Sequence, residues 1–179
     1  VIELDPQLTL AYYNRGLAYY NQGELDKAIV DLTKAIEINP QMAVAYTNRG
    51  LAYYNQGELD KAIADLTKEI EINPQMALAY SNRGLAYYNQ GELEKAIVDL
   101  TKVIELDPQL AVAYNDRGLV YDEQGELDKA IVDYNKAIEL NPQLAVAYTN
   151  RGFVFIQLGN KENAEADYAK AKELGIEPE

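Results

Sequence analysis

The side chains available for chemistry in this chain are carboxylates, carboxamides, hydroxyls and cations, because the sequence holds no cysteine and no histidine. Disulfides, zinc sites of the Cys/His type, thiol nucleophiles and imidazole bases are thereby excluded. A carboxylate pair working as acid and base would have to stand apart from its surroundings. The acids do the opposite: Glu24, Glu58, Glu92 and Glu126 recur at one interval, as do Asp31, Asp65, Asp99, Asp133 and Asp167. A group repeated along the whole chain belongs to a solvated or structural surface, so the chain reads as non-enzymatic, with no cofactor and no metal site expected.

The interval belongs to the whole sequence. The string Tyr-Asn-Gln-Gly-Glu-Leu at residues 20–25 returns at 54–59 and 88–93, and Asp-Glu-Gln-Gly-Glu-Leu replaces it at 122–127, a period of 34 residues. A fixed period of this length implies small stacked units without one central core, whose function comes from the surface the stack makes. Hydrophobic residues at 48% with no long apolar run give the composition of a soluble folded protein with no membrane insertion; the compartment is not set by the sequence, an intracellular one being favoured. The 29 Asp+Glu against 16 Lys+Arg give a formal net charge of −13, which repels a phosphate backbone, so nucleic acid is not an expected partner.

With the Pro of each Asn/Asp-Pro set at position 32, the units are 9–42, 43–76, 77–110, 111–144 and 145–178, and residues 1–8 read as the remnant of a preceding one. In the second unit Val44, Tyr46, Leu51, Tyr53 and Tyr54 have helical spacing, and Gly57 stands where a left-handed residue would stop the helix. This is helix A. Leu59, Ala62, Ile63, Leu66, Ile70 and Ile72 then define helix B, which ends at Asn73-Pro74. Helices of about 14 residues are marginal alone in water, so each must pack on its neighbours. Short connections force them antiparallel, giving an all-α stack of helix-turn-helix repeats.

These residues resemble the tetratricopeptide repeat (TPR) family over nearly the whole chain. The large aromatic at position 4 is Tyr12, Tyr46, Tyr80, Tyr114 and Tyr148, and the Gly at position 8 is Gly16, Gly50, Gly84, Gly118 and Gly152. Position 11 is Tyr19, Tyr53, Tyr87, Tyr121 and Phe155, and position 20 is Ala28, Ala62, Ala96, Ala130 and Ala164. One departure is systematic. The family's usual Leu before the Gly is Arg15, Arg49, Arg83, Arg117 and Arg151, and the equally constant Asp at position 23 is the expected partner of each. Lys27, Asp31 and Lys34 have the spacing of supporting surface ion pairs.

The resemblance implies a right-handed α-solenoid superhelix in which helices A line a concave, peptide-binding groove. Its implied lining is Leu17, Leu51, Leu85 and Leu119; Tyr20, Tyr54 and Tyr88; Asn14, Asn48, Asn82, Asp116 and Asn150; and Asn21, Asn55 and Asn89. A carboxamide offers a donor and an acceptor, as a peptide backbone requires. The Asn row at position 6 is similar to the asparagine ladder of the O-linked N-acetylglucosamine transferase family, and it fits solvation or packing between units equally well. The clamp that grips acidic Hsp70 and Hsp90 tails needs lysines that are absent here. In the fourth unit Asp116, Asp122 and Glu123 replace Asn, Tyr and Asn, which either selects a basic peptide or reflects drift.

Glu69 stands where the other units have Ala35, Val103, Ala137 and Ala171; its carboxylate is expected to bend out to water, with pairing to Arg83 as the alternative. Lys161, Glu165 and Lys172 give the last helix B a polar outer stripe of capping character, whereas the first helix A keeps an apolar seam. The opening Val-Ile-Glu-Leu-Asp-Pro repeats 103–108, so a fragment of a longer array is expected, with self-association through the open end as one consequence. The expected function is a scaffold binding an extended peptide, a basic one if the acids select. A self-assembly module, or the regulatory array of a larger protein, is the alternative.

Overall fold

A computed structural model describes residues 6–176. The expected remnant of a preceding repeat therefore lies largely outside the described residues. Ten α-helices and no strand occur among those described: α1 (Pro6–Asn21), α2 (Leu25–Ile38), α3 (Ala43–Asn55), α4 (Leu59–Ile72), α5 (Ala77–Asn89), α6 (Leu93–Leu106), α7 (Ala111–Glu123), α8 (Leu127–Leu140), α9 (Ala145–Gln157) and α10 (Lys161–Glu173). They form two compact units, α1 to α5 and α6 to α10, each described by itself.

Local chemistry sets the punctuation. Gly57 has φ +77°, and the Gly57 and Glu58 N–H groups donate to the Tyr54 and Tyr53 carbonyls at 2.9 Å, a left-handed cap that closes α3 and satisfies its last carbonyls. At the other turn Asn39 is extended and its Oδ1 accepts from the Gln41 N–H at 3.1 Å; Asp107 and Asn141 hold Gln109 and Gln143 in the same way. Proline follows each of these residues and cannot continue a helix.

Packing within a repeat depends on absent side chains. In unit 1, Ala28, Leu32, Ala35, Ile36 and Ala45 form a core flanked by Tyr12, Tyr13, Tyr19, Tyr20, Met42 and Tyr46. In unit 2, Ala130, Tyr134 and Val154 do so, with Tyr121, Leu127 and Ile131 around them. A Cβ on Gly50 would lie 3.2 Å from Leu66 Cγ; on Gly118 it would lie 2.8 Å from the ring of Tyr134, which is fully buried. Helix A thus touches helix B through a missing methyl group.

The arginines tie these pairs together. Arg49 Nε and Nη2 donate to Asp65 Oδ2 and Oδ1 at 2.7 Å each, and Arg15 with Asp31, Arg117 with Asp133 and Arg151 with Asp167 repeat the fork. The remaining Nη1 crosses to the preceding repeat, from Arg49 to Thr33 at 2.9 Å, Arg83 to Thr67 at 3.0 Å, Arg117 to Thr101 at 3.1 Å and Arg151 to Asn135 at 2.5 Å. Arg49, Arg83, Arg117 and Arg151 also lie over the aromatic rings at positions 4 and 11, as Arg49 does over Tyr46 at 5.7 Å and Tyr53 at 6.0 Å, and Arg15 lies over Tyr12. Burial works against the charged form of Arg49, but Asp65 outweighs it and raises the guanidinium above its ordinary range. The expected Arg–Asp pair is present for Arg15, Arg49, Arg117 and Arg151, and the partner across the repeat boundary is a threonine hydroxyl for Arg49, Arg83 and Arg117 and the Asn135 carboxamide for Arg151.

Other expectations are corrected. Asp31 is buried and taken by Arg15, so it is no part of a surface ladder; Lys27 pairs with Glu24, and Lys34 with Glu37 at 2.7 Å. Glu69 does not reach water: it is 0% exposed, and neither of its oxygens is hydrogen-bonded, to Arg83 or to any other group. Its stem is too short to leave a seam sized for alanine. The polar stripe on α10 is exposed as expected, and α1 is open where its counterparts are covered: Ala11 and Ala18 are exposed while Ala45 and Ala52 are buried, and Arg15 is 59% exposed against 16% for Arg49.

Two outcomes test this packing. Gly118→Ala should destabilise by about 1–3 kcal/mol in urea unfolding, because the Tyr134 ring has nowhere to go. Gly50→Ala should cost less, since Leu66 can give by a few tenths of an ångström and helix propensity returns up to about 1 kcal/mol. Removing the carboxylate with Asp133→Ala should cost about 2–3 kcal/mol, the usual penalty for orphaning a buried charge reduced for the water Arg117 still touches. Asp31→Ala should cost less, because Arg15 can turn to solvent, and double-mutant cycles on the two pairs should show that order.

Candidate functional site

The expected groove residues lie on helices A, which stand side by side: α1, α3 and α5 in unit 1, and α7 and α9 in unit 2. Stagger between adjacent helices brings residue i next to i+35. Asn48 Nδ2 therefore donates to the Tyr13 hydroxyl at 3.1 Å, Asn55 Nδ2 to the Tyr20 hydroxyl at 3.0 Å, and Asn89 Nδ2 to the Tyr54 hydroxyl. In unit 2 Asn150 Nδ2 donates to Asn115 Oδ1 at 3.1 Å and Gln157 Nε2 to Asp122 Oδ1 at 2.8 Å. Asn48, Asn55, Asn89 and Asn150 are thus lateral ties between neighbouring helices A, whereas Asn82 Nδ2 has no partner.

This leaves a particular chemistry outward. Asn48 spends its second N–H on the Val44 carbonyl at 2.9 Å, so its Oδ1 is the remaining functional atom. The Tyr13 and Tyr20 hydroxyls accept from these amides and keep a hydrogen to donate. Asn14, Asn21, Asn55, Asn89, Leu85 and Glu123 are exposed, while Leu17, Leu51, Leu119, Tyr20, Tyr54, Tyr88, Asn48, Asn82, Asn150, Asp116 and Asp122 are half-buried. Asn115 and Gln157, which the sequence reading passed over, hold the acids Asp116 and Asp122; Asn115 Nδ2 lies 3.2 Å from Asp116 Oδ1. Burial pushes the Asp116 carboxyl above the ordinary carboxylate range, and the Asn115 bond pulls it back in part.

Unit 2 also exposes apolar side chains on these helices: Val112 on α7, and Val146, Phe153 and Ile156 on α9. The Phe153 ring meets Tyr168 edge to face at 5.6 Å, which fixes it in place. Among the described residues no three carboxylates converge as a metal site would require, and no helix is long and apolar enough to cross a membrane. Shallow hollows lie between helix A and helix B of a repeat, one of about 270 Å³ lined by Arg117, Tyr121, Asp128, Lys129, Val132 and Asp133, and its counterpart of about 340 Å³ in the first repeat.

Comparison with known proteins agrees with this architecture. Sequence models described as "Tetratricopeptide repeat" match residues 9–42, 77–110 and 111–144, and again 32–64 and 133–166, and a "TPR repeat" model matches 50–91. A crystal structure of the MamA protein is 32% identical, with 94% of this chain and 92% of that chain covered at a TM-score of 0.85. MamA from Desulfovibrio magneticus RS-1, at 23% identity with 93% and 94% covered, superposes at a TM-score of 0.86 and shares the fold. YrrB, described as a TPR protein with an unusual peptide-binding site, is 22% identical, with 97% and 90% covered and a TM-score of 0.78. No curated protein sequence matches. From helix pairing, repeat length and these matches together, the chain belongs to the tetratricopeptide repeat family.

Proposed function

We propose that this chain is a non-catalytic scaffold that holds an extended protein segment against its helix-A face. The observation that carries the reading is that Asn48 commits both amide donors within the protein. With its N–H groups spent on Tyr13 and Val44, Asn48 offers an acceptor, and the tyrosine hydroxyls beside it offer donors. An extended backbone presents the complementary pair at every second residue. Leu17, Leu51 and Leu85 supply the apolar contact between these polar atoms.

In unit 2 the helix-A face has a different character. Asp116, Asp122 and Glu123 share α7 with exposed Val112, and α9 beside it exposes Phe153, a surface that favours a segment carrying a Lys or Arg next to an apolar residue. A second reading, self-association, is favoured by the open face of α1, where Ala11, Ala18 and Arg15 are uncovered. Ala18→Glu should then abolish any rise of mass with concentration in sedimentation equilibrium, and a strict monomer at all concentrations removes that reading.

For the leading reading, an array of unstructured peptides probed by fluorescence anisotropy should yield binders. Asn48→Ala should weaken them about 5- to 10-fold, the effect of losing one hydrogen bond. Changing Asp116, Asp122 and Glu123 to Asn, Tyr and Asn should erase a preference for Lys-containing over Gln-containing peptides while leaving the shared affinity in place. Peptides that bind equally well to wild type and to Asn48→Ala would show that the helix-A face is not the site.

A further inference from the structure

Glu69 has no counterpart in the other repeats, where small residues fill its place. Its side chain is fully buried, and both oxygens lack a hydrogen bond. The polar group acting on it is the Thr47 hydroxyl of α3, which donates its hydrogen to the Ala43 carbonyl at 3.3 Å. With that hydrogen shared with the Ala43 carbonyl, Thr47 gives a Glu69 carboxylate only weak support.

No cation answers the acid. Helix α4 packs on α3 and α5. Arg49 on α3 is held by Asp65 and Thr33, Arg83 on α5 bonds Thr67, and neither guanidinium bonds Glu69. Tyr46 and Tyr53 of α3 and Tyr80 and Tyr87 of α5 lie under those guanidiniums. On α4 itself Lys61 pairs with Glu58, Lys68 with Glu71, and Asp60 accepts from Gln90.

A second buried group is orphaned in the same seam. Asn82 Nδ2 has no hydrogen-bond partner, although Asn48 and Asn150 each donate to the residue 35 places back, Tyr13 and Asn115. The same register directs Asn82 to Thr47, whose side chain is shorter. Burial raises the Glu69 carboxyl above its ordinary value near 4.5, and the Thr47 hydroxyl offsets this only in part.

We propose that Glu69 is carried as the neutral acid and that its ionisation loosens the packing of α3, α4 and α5, making the second repeat a pH-dependent release point in unit 1. Because the folded state favours the neutral form, the stability of this seam is complete below the ordinary carboxylate range. It falls as pH rises, by up to about tenfold in the closing equilibrium per pH unit, until the folded-state value is passed. Thr47 and Asn82 belong to the helix-A face, so the release is felt there.

The test is native-state hydrogen exchange of the full chain from pH 5 to pH 8, corrected for intrinsic exchange, on wild type, Glu69→Gln and Glu69→Ala. Protection of α3 to α5 in wild type should fall with pH relative to Glu69→Gln, by about tenfold or more over the range, while α8 to α10 keep a constant ratio. Glu69→Ala, which restores the residue of three other repeats, should remove the pH dependence and remains informative if the glutamine variant folds poorly. Equal pH dependence in wild type and both variants, or a carbon-13 titration of the Glu69 carboxyl in the ordinary range, would overturn the proposal.

Discussion

A guanidinium held in a helix seam has to be answered by a carboxylate and by every other acceptor within reach, and this requirement organises the repeat. The fork from Arg to Asp joins helix A to helix B within a unit, the third donor joins that unit to the one before it, and the flanking rings cover what remains. An aliphatic residue at this position would bury area without direction. The ionic version specifies register as well, because a helix displaced by one residue breaks three hydrogen bonds at once.

Helices and their pairing were legible because they rest on short-range rules: apolar spacing, a glycine that must be left-handed, a proline after an Asn or Asp. The Arg–Asp pair was legible for a different reason, since a guanidinium beside a packed helix seam needs a carboxylate and the Asp 16 residues on is as constant as the Arg. What was not legible lay across repeats. Thr33, Thr67 and Thr101 look like ordinary surface residues until a neighbouring arginine arrives, and the tie from Asn48 to Tyr13 depends on a one-residue stagger that a 34-residue period conceals.

Glu69 marks the limit of reading by residue type. A glutamate is usually long enough to reach water, and the general rule sends it there. Here α4 packs on α3 and α5, and the side chain is fully enclosed before its carboxyl clears the seam. The site asparagines show the converse limit: the residue type was informative, but which atom remains outward follows only from what the amide does behind it.

The acceptor at position 25 also governs how such an array can be lengthened. Thr33, Thr67, Thr101 and Asn135 each receive an arginine from the next repeat, whereas α10 carries exposed Ala169 at that place. A unit excised from the interior can therefore be spliced between any two others with its stitching intact, as a modular part. One appended behind α10 would find the socket blank, and grafting there calls for a hydroxyl at 169 before any apolar surface is added.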